Sequence, residues 1–440
     1  MNSTTQRAVP GAHKASLPTT RTPLNRTQIT GFWGAWFGWM LDGMDSVIYA
    51  LVLAPALTEL LPRSGVAVSP ASVGFVGSVL FGLFLVGWGF SFIWGPLADR
   101  FGRKNTLAAT ILIYAVFTGL AALSQNVYEL GLFRLLAGIG IGGEWALAGT
   151  YVAESWPEDR RKMGAGYLQT GYYAGFFAAA ALNFTIGAHF GWRAMFLCGF
   201  APVIISVFVL TRVKESAKWE RKVTTGAERP LARIFQAPYR SQTLVMTGLL
   251  TVAVIGLWAA AVYEPSAIIH LAVASGMAKP IAVKMASLGT AILSIGTILG
   301  CLALPAIAER LGRRPTLAIF FVIMFVAILV SFGWAFYLPS DIALPVFLAS
   351  LFFLGLGGAN FAMFSLWLPE LFPTTIRATA FAFCTSFGRF VGAGVNFAIA
   401  AAVGHAGTIG IPVACTALAF VVGLIIIPFG RETTGQILPE

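Results

Sequence analysis

The sequence predicts an all-α membrane protein whose twelve transmembrane helices form two pseudo-symmetric six-helix bundles. Three observations carry that expectation. Of 440 residues, 57% are hydrophobic and only 11% charged, against roughly 25% charged in soluble domains. Apolar runs of about 20 residues, each long enough to cross a hydrocarbon core of roughly 30 Å, recur twelve times, near 31–54, 72–95, 105–124, 130–153, 164–186, 193–212, 242–264, 285–307, 315–337, 342–365, 378–402 and 407–429. Finally, charged motifs are duplicated. Gly95, Leu97, Ala98, Asp99, Arg100, Gly102, Arg103 and Lys104 are answered 210 positions later by Ala308, Glu309, Arg310, Gly312, Arg313 and Arg314. Glu154, Pro157 and Arg161 recur 216 positions later as Glu370, Pro373 and Arg377. Two similar halves follow.

Taken in order, residues 1–30 form a polar tail rich in Thr, Pro and Arg. They have no apolar stretch ending at a small-residue cleavage site, so a cleaved signal is not expected. Residues 31–212 hold six spans, the first bundle. Residues 213–241, with Lys214, Glu215, Lys218, Glu220, Arg221, Lys222 and Arg233, form a polar cytoplasmic linker. Residues 242–430 hold the second six spans, and 431–440 a C-terminal tail. Every other connection is short, so neighbouring helices run antiparallel and the bundles meet across one central seam.

A net charge of +11 raises the question of nucleic acid, but in a membrane chain Lys and Arg first report which loops are cytoplasmic. Of the 29 such residues, four lie in the loops of one side, at Arg63, Arg193, Lys279 and Lys284. Two more, Arg134 and Arg389, lie inside spans, and the others share the side of both termini. Both termini are therefore expected in the cytoplasm, beneath an inner or plasma membrane. No nucleic-acid partner and no obligate protein partner is indicated.

Several residue types offer no chemistry. Cys198, Cys301, Cys384 and Cys415 fall in apolar spans without metal-ligand spacing, and neither metal nor cofactor is expected. His13, His189, His270 and His405 lie in tails or at span ends and make no relay. The pattern Gly-x-x-x-x-Gly-Lys-Ser/Thr is absent, which speaks against ATP-driven pumping by this chain alone. An enzyme is not expected, for want of a nucleophile or metal cluster within the spans. Gly138, Gly140, Gly142 and Gly143 near Arg134, with Gly355, Gly357 and Gly358 in the tenth span, are expected to let helix backbones approach closely.

An ionisable side chain inside the bilayer costs at least a few kcal/mol, so it should face the protein interior and have a partner. Asp42 and Asp45 lie in the first span, Arg134 and Glu144 in the fourth, Arg389 in the eleventh and the amide Asn360 in the tenth. At 1.5 Å per residue, Asp45 and Arg134 share one level and Asp42 and Glu144 another. Asp45 and Arg134 are expected to pair. Asp42 and Glu144 are expected to crowd, so that at least one holds a proton near neutrality; the competing role for both pairs is a static clamp between helices. Arg389 is suited either to a substrate carboxylate or to free carbonyls near a helix break. Gln169, Tyr172 and Tyr173, mid-span in the fifth helix, are further cavity-lining candidates.

The repeated edge residues suggest gates. An acid at one helix end paired with a base across the seam stabilises only the conformation in which those ends meet. Asp99, Arg100, Arg103, Glu154 and Arg161, with Glu309, Arg310, Arg313, Glu370 and Arg377, are the candidates.

The stretch from Gly95 to Lys104 resembles the signature loop of the major facilitator superfamily, and the resemblance runs from the first span to Arg431. It implies twelve helices in two bundles working by alternating access. Leu41-Asp42-Gly43-Met44-Asp45, Gly142-Gly143-Glu144-Trp145, Tyr151-Val152-Ala153-Glu154-Ser155-Trp156-Pro157 and Gly191-Trp192-Arg193-Ala194-Met195-Phe196 resemble the sialate:proton and related metabolite:proton symporters. By position, Asp45 and Arg134 also match the acid and arginine that proton-coupled sugar porters pair between the first and fourth helices. Sialate carriers often have Phe where Met44 stands, and two further spans for which this chain has no room. The resemblance thus implies proton-coupled symport of a small organic anion, either a sialate-like acid sugar or a monocarboxylate. Arg134 or Arg389 would attract its carboxylate, and Asp42, Asp45 and Glu144 would carry or sense the proton. Rival expectations are a neutral-sugar symporter, a drug:proton antiporter and, more remotely, a non-transporting nutrient sensor.

Overall fold

The computed structural model describes residues 22–222, 230–406 and 408–439. Most of the N-terminal tail, with His13, and the middle of the linker lie outside them. Among the described residues every regular element is helical. One bundle contains α1 (Arg26–Arg63), α2 (Phe75–Phe101), α3 (Arg103–Leu123), α4 (Val127–Ser155), α5 (Arg161–Leu182) and α6 (His189–Arg212). The other contains α7 (Arg240–Ala274), α8 (Lys284–Leu311), α9 (Arg313–Tyr337), α10 (Ala343–Leu371), α11 (Arg377–Ala406) and α12 (Gly410–Phe429).

Among the described residues nine helices are long and apolar enough to cross a membrane, and α1 makes a tenth as the bent pair Arg26–Leu53 and Pro55–Arg63, with 63° between the parts. Pro55 has no N–H to give the helical ladder, which places the bend. The remaining two, α5 and α11, are helical over 22 and 30 residues and bring Gln169 and Arg389 into the interior. Two boundaries differ from the sequence reading. α7 runs past residue 264 to Ala274, through Pro265, and the linker contains short helices at Ala217–Lys222 and Pro230–Arg233.

Backbones nearly touch within a bundle. A Cβ on Gly43 of α1 would lie 2.0 Å from the Tyr172 carbonyl of α5, and one on Gly138 of α4 2.3 Å from that of Phe84 on α2. Such contact supplies dispersion where lipid supplies no hydrophobic drive. The seam is formed by α2 against α11 and α5 against α8. Ser91 and Ser386 meet across it at 2.8 Å, and the Trp145 indole donates to Ser365 at 2.8 Å. Both ends of the described chain reach one side of the bundle: the Thr22 amide donates to Asp159, and Arg377 donates to the Pro439 carbonyl. This is the terminal side below.

Candidate functional site

Mid-bundle, buried polar side chains gather among the helices of the first bundle. Asp42 and Asp45, three apart on α1 and so on one face, are fully buried. From α4, Arg134 places Nη1 3.5 Å from each carboxylate oxygen of Asp45. Neither side chain of this long ion pair is exposed. The guanidinium also lies over the rings of Tyr49 and Phe84, at 4.7 and 4.5 Å, contacts that favour a cation. Further along α4, Glu144 fills the space that Gly38 leaves open, since a Cβ there would lie 2.3 Å from its Oε1. Asp42 lies within electrostatic reach of Glu144, Asp45, Arg389 and Arg134. Among the described residues neither oxygen of Asp42 or of Glu144 has a hydrogen-bond partner.

Arg389 enters this region from the other bundle. Its guanidinium carbon lies 3.8 Å from the Trp88 ring centroid on α2 and 5.8 Å from that of Trp145 on α4. Trp88 fits because Gly142 has no side chain: a Cβ would come within 2.1 Å of the indole. One Arg389 nitrogen donates to the Thr385 carbonyl, a turn back on α11, and Nε has no partner among the described residues. Trp39 and Trp145 stack at 5.9 Å with 12° between planes, and Tyr172 packs on Trp39 at 4.6 Å. Gln169 and Asn360 are buried with their carbonyl oxygens unpartnered. Asn360 heads the second part of α10, after a break at Ala359, and donates to the Gly357 carbonyl at 2.9 Å. Tyr173 is buried too, beside Cys301 of α8. Aromatic walls with a few convergent polar groups are the usual make-up of a small-molecule site.

The repeated motifs meet at the terminal side as two matching triads. Glu154 accepts from Arg103 of its own bundle, Nε at 3.1 and Nη2 at 3.0 Å, and from Arg377 across the seam at 2.8 Å. Glu370 accepts from Arg313 at 3.0 and 2.8 Å and from Arg161 across the seam at 3.0 Å. Asp99 pairs with Arg103 at 2.9 Å and accepts from the amide and hydroxyl of Thr379 on α11 at 2.9 and 2.6 Å. Glu309 pairs with Arg313 at 2.8 Å and with Lys162 of α5 at 2.7 Å. Arg100 and Arg310 stay outside this network: both are exposed, and Arg100 lies over neighbouring Phe101. The chain turns into each motif's second helix at Gly102 and Gly312, with φ 104° and 100°, where a Cβ would be strained.

Two acids outside the expected site complete the network. Glu215 accepts from the amides of Arg103 and Lys104, and Glu432 from those of Arg313 and Arg314, so each anion stands at a helix N-terminus. Burial pushes the Glu215 carboxyl up. At Glu432 burial acts the same way, but bonds from Thr434 and from the Arg313, Arg314 and Thr433 amides outweigh it and hold the carboxyl low. The signal was available: Lys214-Glu215-Ser216 is repeated as Arg431-Glu432-Thr433. Beyond it, the Gln436 carbonyl accepts from Arg161 at 3.3 Å and Leu438 is buried. Lys162 and Glu264 were also missed. Glu264 is buried, yet the apolar run of the seventh span stops at it.

Comparison with known proteins bears on this arrangement. The family profile described as "Major Facilitator Superfamily" matches residues 35–278, and that described as "Sugar (and other) transporter" matches residues 241–435. The chain is 30% identical to a Cupriavidus pinatubonensis protein named "Probable 4-methylmuconolactone transporter", over 82% of this chain and 81% of that one. It is 27% identical to the niacin transporter NiaP of Acinetobacter baylyi, over 94% and 97% of the two chains. With the 4-hydroxybenzoate transporter PcaK of Pseudomonas aeruginosa it shares 28% identity over 80% of each. Among solved structures, the proton:xylose symporter XylE aligns with a TM-score of 0.74 at 20% identity, covering 94% of this chain and 98% of that one. The human organic anion transporter MFSD10 aligns at 0.70 and 15% identity, over 92% and 100%. These two likenesses establish the fold.

Proposed function

The chain belongs to the Major Facilitator Superfamily, and on that premise we propose a proton-coupled symporter that moves a small organic anion by alternating access. It is a multi-pass membrane transporter and not an enzyme. One observation carries the finer reading: Arg389, fully buried, is presented from one bundle onto Trp88 of the other without a described carboxylate paired to it. Asp42 lies within electrostatic reach of Arg389 but makes no ion pair with it. A buried cation left without a direct partner costs several kcal/mol, and a substrate carboxylate is the anion that would relieve it. The rings of Trp88, Trp145, Trp39 and Tyr172 favour a flat unsaturated or aromatic acid over an acid sugar, because a planar π-system gains most from stacking. The names of the relatives, with 4-methylmuconolactone, niacin and 4-hydroxybenzoate among them, support the same class.

The proton belongs to Asp42 and Glu144. Two unpartnered acids within electrostatic reach of each other relieve their repulsion by sharing one proton. A carrier that takes up anion and proton together crosses with no added net charge in its interior. Asp45 and Arg134 lie beside this site as a neutral pair. The terminal side, rich in Lys and Arg, faces the cytoplasm of an inner or plasma membrane, and the triads at Glu154 and Glu370 hold it shut. Release to the cytoplasm requires Arg377 and Arg161 to part from them.

Calorimetric titration of the purified transporter with benzoate, nicotinate, muconate, a sialate and glucose tests this reading. Flat acids should bind, and Arg389→Gln should abolish that binding. Binding of glucose but of no acid, or acid binding indifferent to Arg389→Gln, would overturn it.

A further inference from the structure

We propose that Glu264 on α7 is a second proton-binding site, in the bundle opposite the α1 and α4 acids, which exchanges its proton with the outer side. Its role in transport rests on the proton-coupled reading above; its protonation does not. Glu264 is 2% exposed and lies ten residues short of Ala274, about 15 Å below the outer end of α7. It faces a notch in α8. A Cβ on Gly289 would lie 2.9 Å from Oε1, and Ile268 and Leu351 close the same notch.

The surroundings give an ionised carboxylate almost nothing. Thr290 Oγ1 is 3.4 Å from Oε1 and also lies 3.2 Å from the Ala286 carbonyl, so its one proton is shared. Among the described residues no charged group faces Glu264 from the helices packed on α7. Arg389 of α11 lies over Trp88, and Lys284 of α8 and Asp341 before α10 are exposed. Glu309, Arg313, Glu370 and Arg377 bond to one another's network at the terminal side. His270, on α7 itself, stacks on Phe336 at 5.5 Å. A lone buried carboxylate in a membrane helix is stable as the neutral acid.

Loss of the proton would drive the charge out of the α7–α8 notch toward water, so occupancy ties α7 to α8. Six residues inward on α7, Trp258 packs against Trp88 at 5.8 Å and Phe81 at 6.0 Å. The seating of α7 is thereby passed to the ring beneath Arg389.

Infrared difference spectroscopy of the purified wild type and Glu264→Gln in lipid nanodiscs, followed through a pH titration, tests the assignment. A protonated-carboxyl band absent from Glu264→Gln, and lost reversibly in alkaline medium, is expected. The absence of any such difference band, or a band unchanged across the titration, would overturn it. Should Glu264→Gln fail to insert, Thr290→Val must shift the band's titration midpoint, and an unmoved midpoint would overturn the proposal equally. In proteoliposomes at a fixed gradient the dependence of uptake on outer pH should shift in Glu264→Gln; an unshifted profile would overturn the role of the site in transport. The symport reading fails separately, through wild-type uptake that ignores the gradient.

Discussion

Arg377 of α11 donates to Glu154 of α4 across the seam at 2.8 Å, onto the same oxygen that accepts Arg103 Nη2 at 3.0 Å. One carboxylate thus fastens its own bundle and latches the other. Glu154→Gln leaves buried Arg377 without its counter-charge, while Arg103 keeps Asp99 at 2.9 Å; breaking a buried pair in this way costs about 3 kcal/mol, or roughly 100-fold in the ratio of closed to open states. Cys301, buried on α8 with its carbonyl against Gly166 of α5, is a native reporter of that opening. Its alkylation from the terminal side is expected to accelerate in Glu154→Gln, and an unchanged rate would argue against the latch.

Arg389→Lys separates charge from shape. Lysine keeps the cation but loses the planar fork and its stacking on Trp88 at 3.8 Å. Anion affinity is expected to fall by about 2 kcal/mol, roughly 30-fold, with the effect in Kd by calorimetry and little change in thermal stability.

Asp45→Asn leaves Arg134 buried against Tyr49 and Phe84 without a counter-charge. With the proton on Asp42 and Glu144, gradient-driven accumulation and anion exchange should fall together, and stability should recover in Asp45→Asn/Arg134→Gln. Accumulation abolished while exchange persists would instead make Asp45 the proton carrier. The single variant is expected to lose about 3 kcal/mol of stability, readable as a lower Tm.

Two glycines on α1 should behave oppositely. At Gly38 an added methyl meets the mobile tip of Glu144, whereas at Gly43 it meets the Tyr172 backbone carbonyl at 2.0 Å. Gly38→Ala is expected to express normally and to shift the pH profile of uptake by displacing the Glu144 carboxylate. Gly43→Ala must spread α1 from α5, and such overpacking costs about 1–3 kcal/mol. A size-exclusion and melting comparison distinguishes them.

The latches were legible because charge was repeated at fixed spacing: Arg103 and Arg313 anticipate each other, as do Glu154 and Glu370. The repeat did not tell which motif residues face the seam, and Arg100 and Arg310 point away from it. Glu215 and Glu432 carried the same kind of signal, hidden in polar segments where an acid normally reads as solvated. The level of Asp45 and Arg134 followed from the rise per residue. The stacking of Arg389 on Trp88 could not, since helical periodicity fixes directions within a helix and says nothing of which helix of the other bundle lies opposite. Glu264 was obscured for a further reason: its apolar run ended while its helix continued to Ala274.

Uptake of a flat carboxylic acid into proteoliposomes, with and without an inwardly directed proton gradient, tests the central claim most directly. Accumulation of the acid above its outside concentration is predicted only when the gradient is imposed, with none for glucose. Accumulation of glucose but of no acid, or acid uptake indifferent to the gradient, would contradict it.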